Sequence, residues 1–373
     1  MSGIRGFFFK CAILDWDKST GFSISIRQNN TSMIRQILFL AAMLCFVSNL
    51  HAQDPIFSQF YATPMVLNPA FAGNTLAPRL AVNYRKQWGA IPDAYDTYGV
   101  TFSQFMPGLN SGIGLLVVSD NAGDNLYKTN KFGANFAYRV QVNRDFNIKI
   151  GVEAGFRSLN LDWDRFQFFD QLDAITGPVD AAGNPNPTNE LRPDLVSKTY
   201  FDVGAGILAY GPVFYGGFSI KHLTTPNEGL LGINDQLNEG LSQRLSLHGG
   251  AQIMLRQANN RRGATFVSPN IMVIKQGDQG QVNGGAYYNM GALFFGGWYR
   301  HAFGNSDAVI ALVGFQYDYF KIGYSYDVTV SNLENNRSGG SHEISIVLNF
   351  DESELVKQRR KAERFNDCFG LFR

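Results

Sequence analysis

Three groups of residues in this chain resemble catalytic or cofactor-binding sites. Gly204, Gly206 and Ala209 fit the G-x-G-x-x-A spacing of a dinucleotide-binding turn. Such a turn must lead into a helix whose N-terminus meets the pyrophosphate. Here Gly211 and Pro212 end the segment at once, and another alternating run follows. We therefore interpret these small residues as part of a β-strand.

The histidines and the paired carboxylates indicate no catalytic chemistry. None of the five histidines belongs to an H-x-x-x-H or H-E-x-x-H motif, and if Cys11 and Cys45 leave with a cleaved leader no second cysteine is present to complete a zinc site. Asp162 and Asp164 lie in a segment typical of a solvated loop, without the D-x-D-x-D-G spacing of a calcium loop. The sequence predicts no enzyme, no metal and no cofactor, with calcium in that loop as the alternative.

The elements that would position any site are short alternating segments. In residues 131–141, Phe132, Phe136 and Tyr138 fall on one face, whereas Asn135 and Arg139 fall on the other. A period of two predicts a strand with one apolar and one polar face. A closed sheet satisfies every backbone group within a bilayer. We predict an all-β fold: a transmembrane antiparallel β-barrel of about 14 strands.

The connectors between these segments alternate between short and long. Outer-membrane barrels have short periplasmic turns, longer outer loops and an even strand count. Pro269 must lie at a bulge or near a rim, because proline cannot donate to a sheet. A soluble β-sandwich is the alternative, but it gives no reason for the alternation. The predicted strands lie near 79–88, 95–105, 111–119, 130–141, 146–159, 200–210, 212–221, 243–256, 264–275, 281–290, 292–301, 307–318, 320–330 and 341–350.

Composition agrees with a barrel in a membrane. Aromatic residues make up 14% of the chain and charged residues only 17%. Phe and Tyr are abundant at the interfaces of such barrels. The net charge of +1 gives no reason to expect a nucleic-acid partner.

The chain divides into five predicted parts. Residues 37–47 form an apolar run after Met33 and Arg35, the layout of a signal peptide, and we expect cleavage after Ala52. Only Cys368 would then remain, so no internal disulfide can form. The predicted parts are a spurious or atypical leader (1–32), a signal peptide (33–52), an N-terminal periplasmic plug or docking segment (53–78), the barrel (79–350) and a basic periplasmic tail (351–373).

Two sets of residues are candidate site residues. The prolines of 53–78 keep that segment out of the barrel wall, and its aromatic side chains must pack on the barrel or on a partner. Inward-facing charges could pair across the lumen or line a selective pore, and we favour pairing, since the inward faces otherwise carry few charges. The plug or docking residues are Phe57, Gln59, Phe60, Tyr61, Asn68 and Phe71, and the lumen charges are Arg139, Lys149, Glu153 and Arg157.

Several short motifs carry a family resemblance. They are Gln53-Asp54-Pro55, Gln59-Phe60-Tyr61, Asn68-Pro69-Ala70, Ala72-Gly73, Tyr98-Gly99-Val100-Thr101-Phe102, Phe266-Val267-Ser268-Pro269-Asn270 and Gly340-Ser341-His342-Glu343-Ile344-Ser345. Together they resemble the PorP/SprF family of type IX secretion system outer-membrane proteins over residues 53–350. The leader and the basic tail have no counterpart in that pattern.

The resemblance implies a non-enzymatic barrel in the outer membrane that serves protein export or gliding motility in Bacteroidota. It implies outer-membrane lipid, other type IX secretion components and a secreted surface adhesin as partners. The alternative function is an outer-membrane porin or small-solute transporter, since about fourteen strands can enclose a plugged lumen or a solute path.

Overall fold

The computed structural model describes residues 54–180, 182–193, 195–230, 240–257, 264–331 and 333–350. The expected leader and signal peptide, the basic tail and the expected turn at 259–263 lie outside the described residues. No helix in the described ranges is long and apolar enough to span a bilayer. The two helices there, α1 (Pro64–Leu67) and α2 (Asn335–Ser338), have one turn each.

The strands form one closed antiparallel sheet. β1 pairs with both β2 and β15, and β10 pairs with β11, which closes the ring. β8 and β9 follow each other along β10 and act as one strand of the wall. The described residues thus confirm the predicted barrel of fourteen strands. The strands are β1 (Arg79–Gln87), β2 (Tyr95–Met106), β3 (Ser111–Ala122), β4 (Tyr127–Gln141), β5 (Asn147–Leu161), β6 (Ser197–Tyr210), β7 (Phe214–Lys221), β8 (Arg244–Ala251), β9 (Ile253–Arg256), β10 (Thr265–Gln276), β11 (Gln279–Met290), β12 (Leu293–Ala302), β13 (Asn305–Tyr317), β14 (Phe320–Thr329) and β15 (Ser341–Asn349).

Pro269 explains the division between β8 and β9. Residues 270–276 of β10 pair with β8, and residues 265–267 pair with β9. The gap between these two pairings contains Pro269. Proline has no N–H to donate to the neighbouring strand. The register also shifts between Thr265 and Phe266. Pro269 therefore lies at an irregularity of the wall, as the sequence indicated.

The two faces of the wall follow the predicted alternation. Phe132, Phe136 and Tyr138 of β4 are about half exposed on the outside, and Asn135 and Ala137 between them are buried. A bilayer covers such an outer face, because an apolar band around the barrel matches the hydrocarbon.

The two ends of the barrel differ. At one end, which we call the turn end, the described connectors span 107–110, 142–146, 211–213, 291–292 and 318–319. At the other, the loop end, connectors span 88–94, 123–126, 162–196, 222–243, 277–278, 303–304 and 330–340. The predicted alternation of short and long connectors fails at 277–278 and 303–304, where two residues suffice.

A charge on the outer face should destabilise the barrel in its membrane. Phe136→Arg places a guanidinium among apolar neighbours, and near the bilayer midplane such a charge costs about 2–4 kcal/mol. The measurement is urea unfolding of the barrel in lipid vesicles. The matched control is Asn135→Ser, because the buried Asn135 amide has no hydrogen-bond partner among the described residues. Equal losses in both variants would contradict the assignment of the faces.

Candidate functional site: the lumen and the N-terminal segment

The described part of the N-terminal segment, residues 54–77, lies in the lumen. Asp54 contacts His222, the first residue after β7 at the loop end. The backbone N–H of Gly73 donates to Ser103, near the turn end of β2. The segment thus runs through the barrel before it enters β1. Its six predicted plug or docking residues are all buried, namely Phe57, Gln59, Phe60, Tyr61, Asn68 and Phe71.

Prolines set the local conformation of the segment. Pro64 occupies the first turn of α1, and Pro69 begins the 3₁₀ turn Pro69–Phe71. Proline suits the first helical position, because its missing N–H would be unpaired there anyway. Asn68 caps the second turn, since its Oδ1 accepts from the N–H of Ala70 at 2.9 Å. These turns keep the segment compact enough for the lumen.

The aromatic side chains of the segment pack against the barrel's own wall. Phe60 meets Trp298 edge to face, with ring centroids 5.1 Å apart. Tyr61 lies edge to face against Tyr287 and Phe294, at 5.6 Å from each. Aromatic pairs in this arrangement add about 0.5–1.5 kcal/mol beyond the area they bury. Their burial favours a plug over a surface for a partner.

Gln59 fastens the segment to the seam where the barrel closes. Its backbone N–H donates to Glu343 Oε1 at 3.0 Å, and its Nε2 donates to the Glu343 carbonyl at 2.8 Å and to Ser325 Oγ at 3.1 Å. Its Oε1 accepts from Tyr61 Oη and Ser345 Oγ. A buried amide with all its groups paired stabilises one arrangement of the chain.

Asn68 makes an equivalent attachment on the opposite side of the lumen. Its Nδ2 donates to the carbonyls of Ile207 at 3.0 Å and Phe218 at 3.3 Å. The wall has a glycine at this point. A Cβ on Gly206 would lie 2.1 Å from Asn68 Oδ1, so the approach requires glycine. The missing side chain at Gly206 therefore leaves the space on β6 that Asn68 occupies.

Buried charges surround the start of the segment. Asp54 accepts from Arg157 at 2.6 Å and lies 3.4 Å from Arg244 and 2.9 Å from His222 Nε2. Ser58 donates to Asp327 at 2.7 Å, and its backbone N–H donates to Glu343. A buried carboxylate or guanidinium without a partner would cost several kcal/mol. The contacts of Asp54 therefore hold the segment in place.

The four predicted lumen charges have partners other than one another. Glu153 lies between Lys131 at 2.7 Å and Lys221 at 3.0 Å, and Arg157 pairs with Asp54. Lys149 donates to the carbonyl of Ala72. Arg139 lies near the turn end, where it donates to Asn110 and covers the ring of Phe105.

The expectation that the inward faces carry few charges is wrong. In the described ranges the strands bury twelve charged side chains, namely Arg79, Arg85, Lys149, Glu153, Arg157, Asp202, Lys221, Arg244, Arg300, Lys321, Asp327 and Glu343. Each occupies one of the alternating strand positions whose side chains face the lumen. The period of two could have identified them, had it been extended strand by strand. The contacts that they make with residues 54–77 have no sequence signal.

His222 joins the segment to the wall through both ring nitrogens. Nε2 lies 2.9 Å from Asp54 Oδ2, and Nδ1 lies 2.7 Å from Asp202 Oδ2. Carboxylates only accept, so both nitrogens donate and the imidazole is charged. His222 and Asp54 lie outside the strands. Burial lowers the pKa of His222, but the carboxylates of Asp54 and Asp202 raise it further, to above its ordinary value.

The pKa of Asp54 shifts in the opposite direction. Burial raises it, but His222, Arg157 and Arg244 together hold it well below its ordinary value. A lowered carboxyl pKa contributes stability that is lost as the pH falls through it, and a raised histidine pKa contributes stability that is lost as the pH rises through it. The contact between Asp54 and His222 is therefore strongest at pH values between the lowered pKa of Asp54 and the raised pKa of His222.

An alanine at Gly206 should displace the segment. Its Cβ would meet Asn68 Oδ1, and such overpacking costs about 1–3 kcal/mol. We expect a lower midpoint in heat-dependent electrophoretic mobility for Gly206→Ala. Gly297→Ala is the matched control, because nothing lies within 4 Å of its Cβ. A larger loss at Gly297 than at Gly206 would refute this role.

The contact of His222 should make the barrel's stability depend on pH. For the unaltered protein, the unfolding midpoint should fall as the pH rises above the ordinary histidine range of about 6.5. His222→Gln should lower the unfolding midpoint near neutral pH. Because it removes one member of a buried pair, the free energy of unfolding should fall by about 3 kcal/mol. The variant should also lose most of the alkaline dependence. A pH profile identical to that of the unaltered protein would exclude this contact as its source.

Comparisons with known proteins identify one family over most of the chain. The family model described as "Type IX secretion system membrane protein PorP/SprF" matches residues 49–348. No curated protein matches the chain. Among solved structures, the Ralstonia pickettii toluene transporter TbuX is 11% identical, with 77% of this chain and 92% of that chain covered and a TM-score of 0.41. A mutant of the Rh. blastica porin is 7% identical, with 73% of this chain and 99% of that chain covered and a TM-score of 0.32. The match over most of the chain shows that it belongs to the PorP/SprF family of type IX secretion system membrane proteins, as a β-barrel of the outer membrane.

Proposed function

We propose that this barrel is a non-enzymatic component of the type IX secretion and gliding machinery, and that it supports the export or surface display of large adhesin-like proteins. Family membership supports the link to secretion. The observation that carries the rest is the lumen occupied by residues 54–77, fixed by buried ion pairs. A barrel filled in this way works through its surfaces.

The loop end is the surface that we propose for the secreted adhesin. In outer-membrane barrels the longer connectors face the cell exterior. The connector 162–196 exposes large apolar side chains, with Phe169 91%, Ile175 93% and Leu191 77% exposed. These three exposed apolar side chains of one connector are the observation that supports the assignment. The other secretion components would meet the turn end in the periplasm.

The alternative function, a porin or small-solute transporter, requires the segment to leave the lumen. That movement would remove the hydrogen bonds of Ser58 to Asp327 and Glu343 on the wall, and it would separate Asp54 on the segment from Arg157 and His222. We therefore favour the six residues Phe57, Gln59, Phe60, Tyr61, Asn68 and Phe71 as a plug, within a segment 53–78 that is part of the barrel. We also retain the proposed signal peptide (33–52) and basic tail (351–373).

A strain that lacks this protein should lose a large adhesin from its surface, and the unaltered gene should restore it. Phe169→Ser together with Ile175→Ser should reduce adhesin display while the barrel stays folded, since both side chains are exposed. Surface labelling of intact cells and heat-dependent mobility measure the two effects in the same strain.

The double variant Phe60→Ala, Tyr61→Ala is compared with the Phe169→Ser, Ile175→Ser variant in the same assays. These side chains are buried in the barrel, so we expect barrel and display to be lost together, at about 3–5 kcal/mol for each large aromatic removed. Normal adhesin display in the strain without the protein would refute the proposed function. High conductance of the purified barrel in planar bilayers would favour the porin.

A further inference from the structure

The connector between β7 and β8 begins and ends beside Asp54 of the N-terminal segment. His222, the first residue of the connector, lies 2.9 Å from Asp54 Oδ2 through its Nε2. Arg244, the first residue of β8, lies 3.4 Å from the same oxygen. The described parts of this connector are residues 222–230 and 240–243, which we call the first and second connector arms. One carboxylate of the segment thus contacts the chain at both ends of the connector.

Two wall side chains link Asp54 to the connector arms as well. Arg157 donates to Asp54 Oδ1 at 2.6 Å, and its Nε lies 3.5 Å from Glu228 Oε1 on the first arm. Gln276 accepts from the backbone N–H of Asp54 at 3.1 Å, and its Nε2 donates to the carbonyl of Ser242 on the second arm at 3.4 Å. Asp54 therefore contacts the first arm directly and reaches each arm through one further residue.

The first connector arm has a strained backbone. His222 has a φ of 60° and Thr225 a φ of 40°, in the left-handed region that residues other than glycine seldom adopt. For Thr225, which is β-branched, this conformation is especially unfavourable. Such conformations persist only where the surrounding structure holds them. His222 is held by a carboxylate at each ring nitrogen, and one of these carboxylates belongs to Asp54.

The connector arms also bind each other and the neighbouring connector. The N–H of Leu241 on the second arm donates to the carbonyl of Pro226 on the first arm at 2.8 Å. The N–H of Leu195, near the end of the connector 162–196, donates to the carbonyl of Leu230 at 3.2 Å. A change in the arms would therefore reach the connector 162–196 through a hydrogen bond.

We propose that Asp54 sets the conformation of the connector arms, so that this part of the loop-end surface takes its form only while the N-terminal segment occupies the lumen. An interaction can shift a conformational equilibrium only as far as it differs between the two states. The contacts of Asp54 with His222 and Arg157 supply that difference, since both are lost when the segment is absent. This inference goes beyond the proposed secretion function and does not depend on it.

The test is hydrogen–deuterium exchange, read by mass spectrometry, on the full mature barrel in lipid nanodiscs. Asp54→Asn keeps the shape of the side chain and removes its charge. The N–H groups of Leu223, Thr225 and Leu241 are hydrogen-bonded, to Val203, His222 and Pro226 respectively. Their exchange should become about tenfold faster in the variant, because local opening of the arms costs less once the charged contacts are lost.

Ser58→Ala is the matched control. Ser58 is likewise a buried residue of the segment, but its hydroxyl donates to Asp327 of β14 and contacts neither arm. Exchange in the arms of this variant should equal that of the unaltered protein. Glu228→Gln breaks the contact with Arg157 from the connector side. It should also accelerate exchange in the first arm, and Glu228 lies outside the strands of the wall.

Heat-dependent mobility of each variant shows whether the barrel is folded. Faster exchange in the arms of folded Asp54→Asn, with no change in Ser58→Ala, supports the proposal. Unchanged exchange in folded Asp54→Asn overturns it, and so does an equal acceleration in Ser58→Ala. If Asp54→Asn does not fold, Glu228→Gln decides: faster exchange in the first arm supports the proposal, and unchanged exchange overturns it. Loss of adhesin display in a strain bears on the secretion function alone.

Discussion

The structure depends on the pairing of charges inside the lumen. A buried charge costs several kcal/mol unless an opposite charge or hydrogen bonds compensate it. The wall compensates some of its own, as where Glu153 lies between Lys131 and Lys221. The N-terminal segment compensates others, since Asp54 lies among Arg157, Arg244 and His222. Segment and wall thus form one electrostatic unit, which explains why residues 54–77 are held inside the lumen.

The same contacts couple the segment to closure of the barrel. Gln59 is bound to Glu343 of β15, 284 positions further along the chain. Arg79 at the start of β1 donates to the carbonyls of Tyr61 and Ala62. β1 and β15 form the seam between the two chain ends. Because the segment touches both strands of the seam, each contact that seats it also favours the closed ring. Such long-range contacts are slow to form, since loop closure opposes them.

Much of the wall could be predicted from the sequence, and little of the lumen. Alternation in β4 predicts the strand and its two faces, because the period of a strand is a local property. The same pattern places His248 inside but does not reveal that Phe71 stacks on it at 5.2 Å. Nor does it show that Asp54 lies beside His222 at the loop end. Such contacts join residues far apart in the chain, and one sequence carries no signal for them. The sequence predicts Gly206 only as a small residue of a strand, and the structure shows Asn68 beside it.

The connectors that break the predicted alternation bear on how the loop end is used. The connectors 162–196 and 222–243 join β5 to β6 and β7 to β8, whereas the two-residue turns 277–278 and 303–304 join β10 to β11 and β12 to β13. The two long connectors are thus neighbours around the ring, and so are the two short turns. Phe169 and Ile175, the side chains that we propose to contact the adhesin, belong to the side with the long connectors. The proposed contact surface is therefore confined to one part of the loop end.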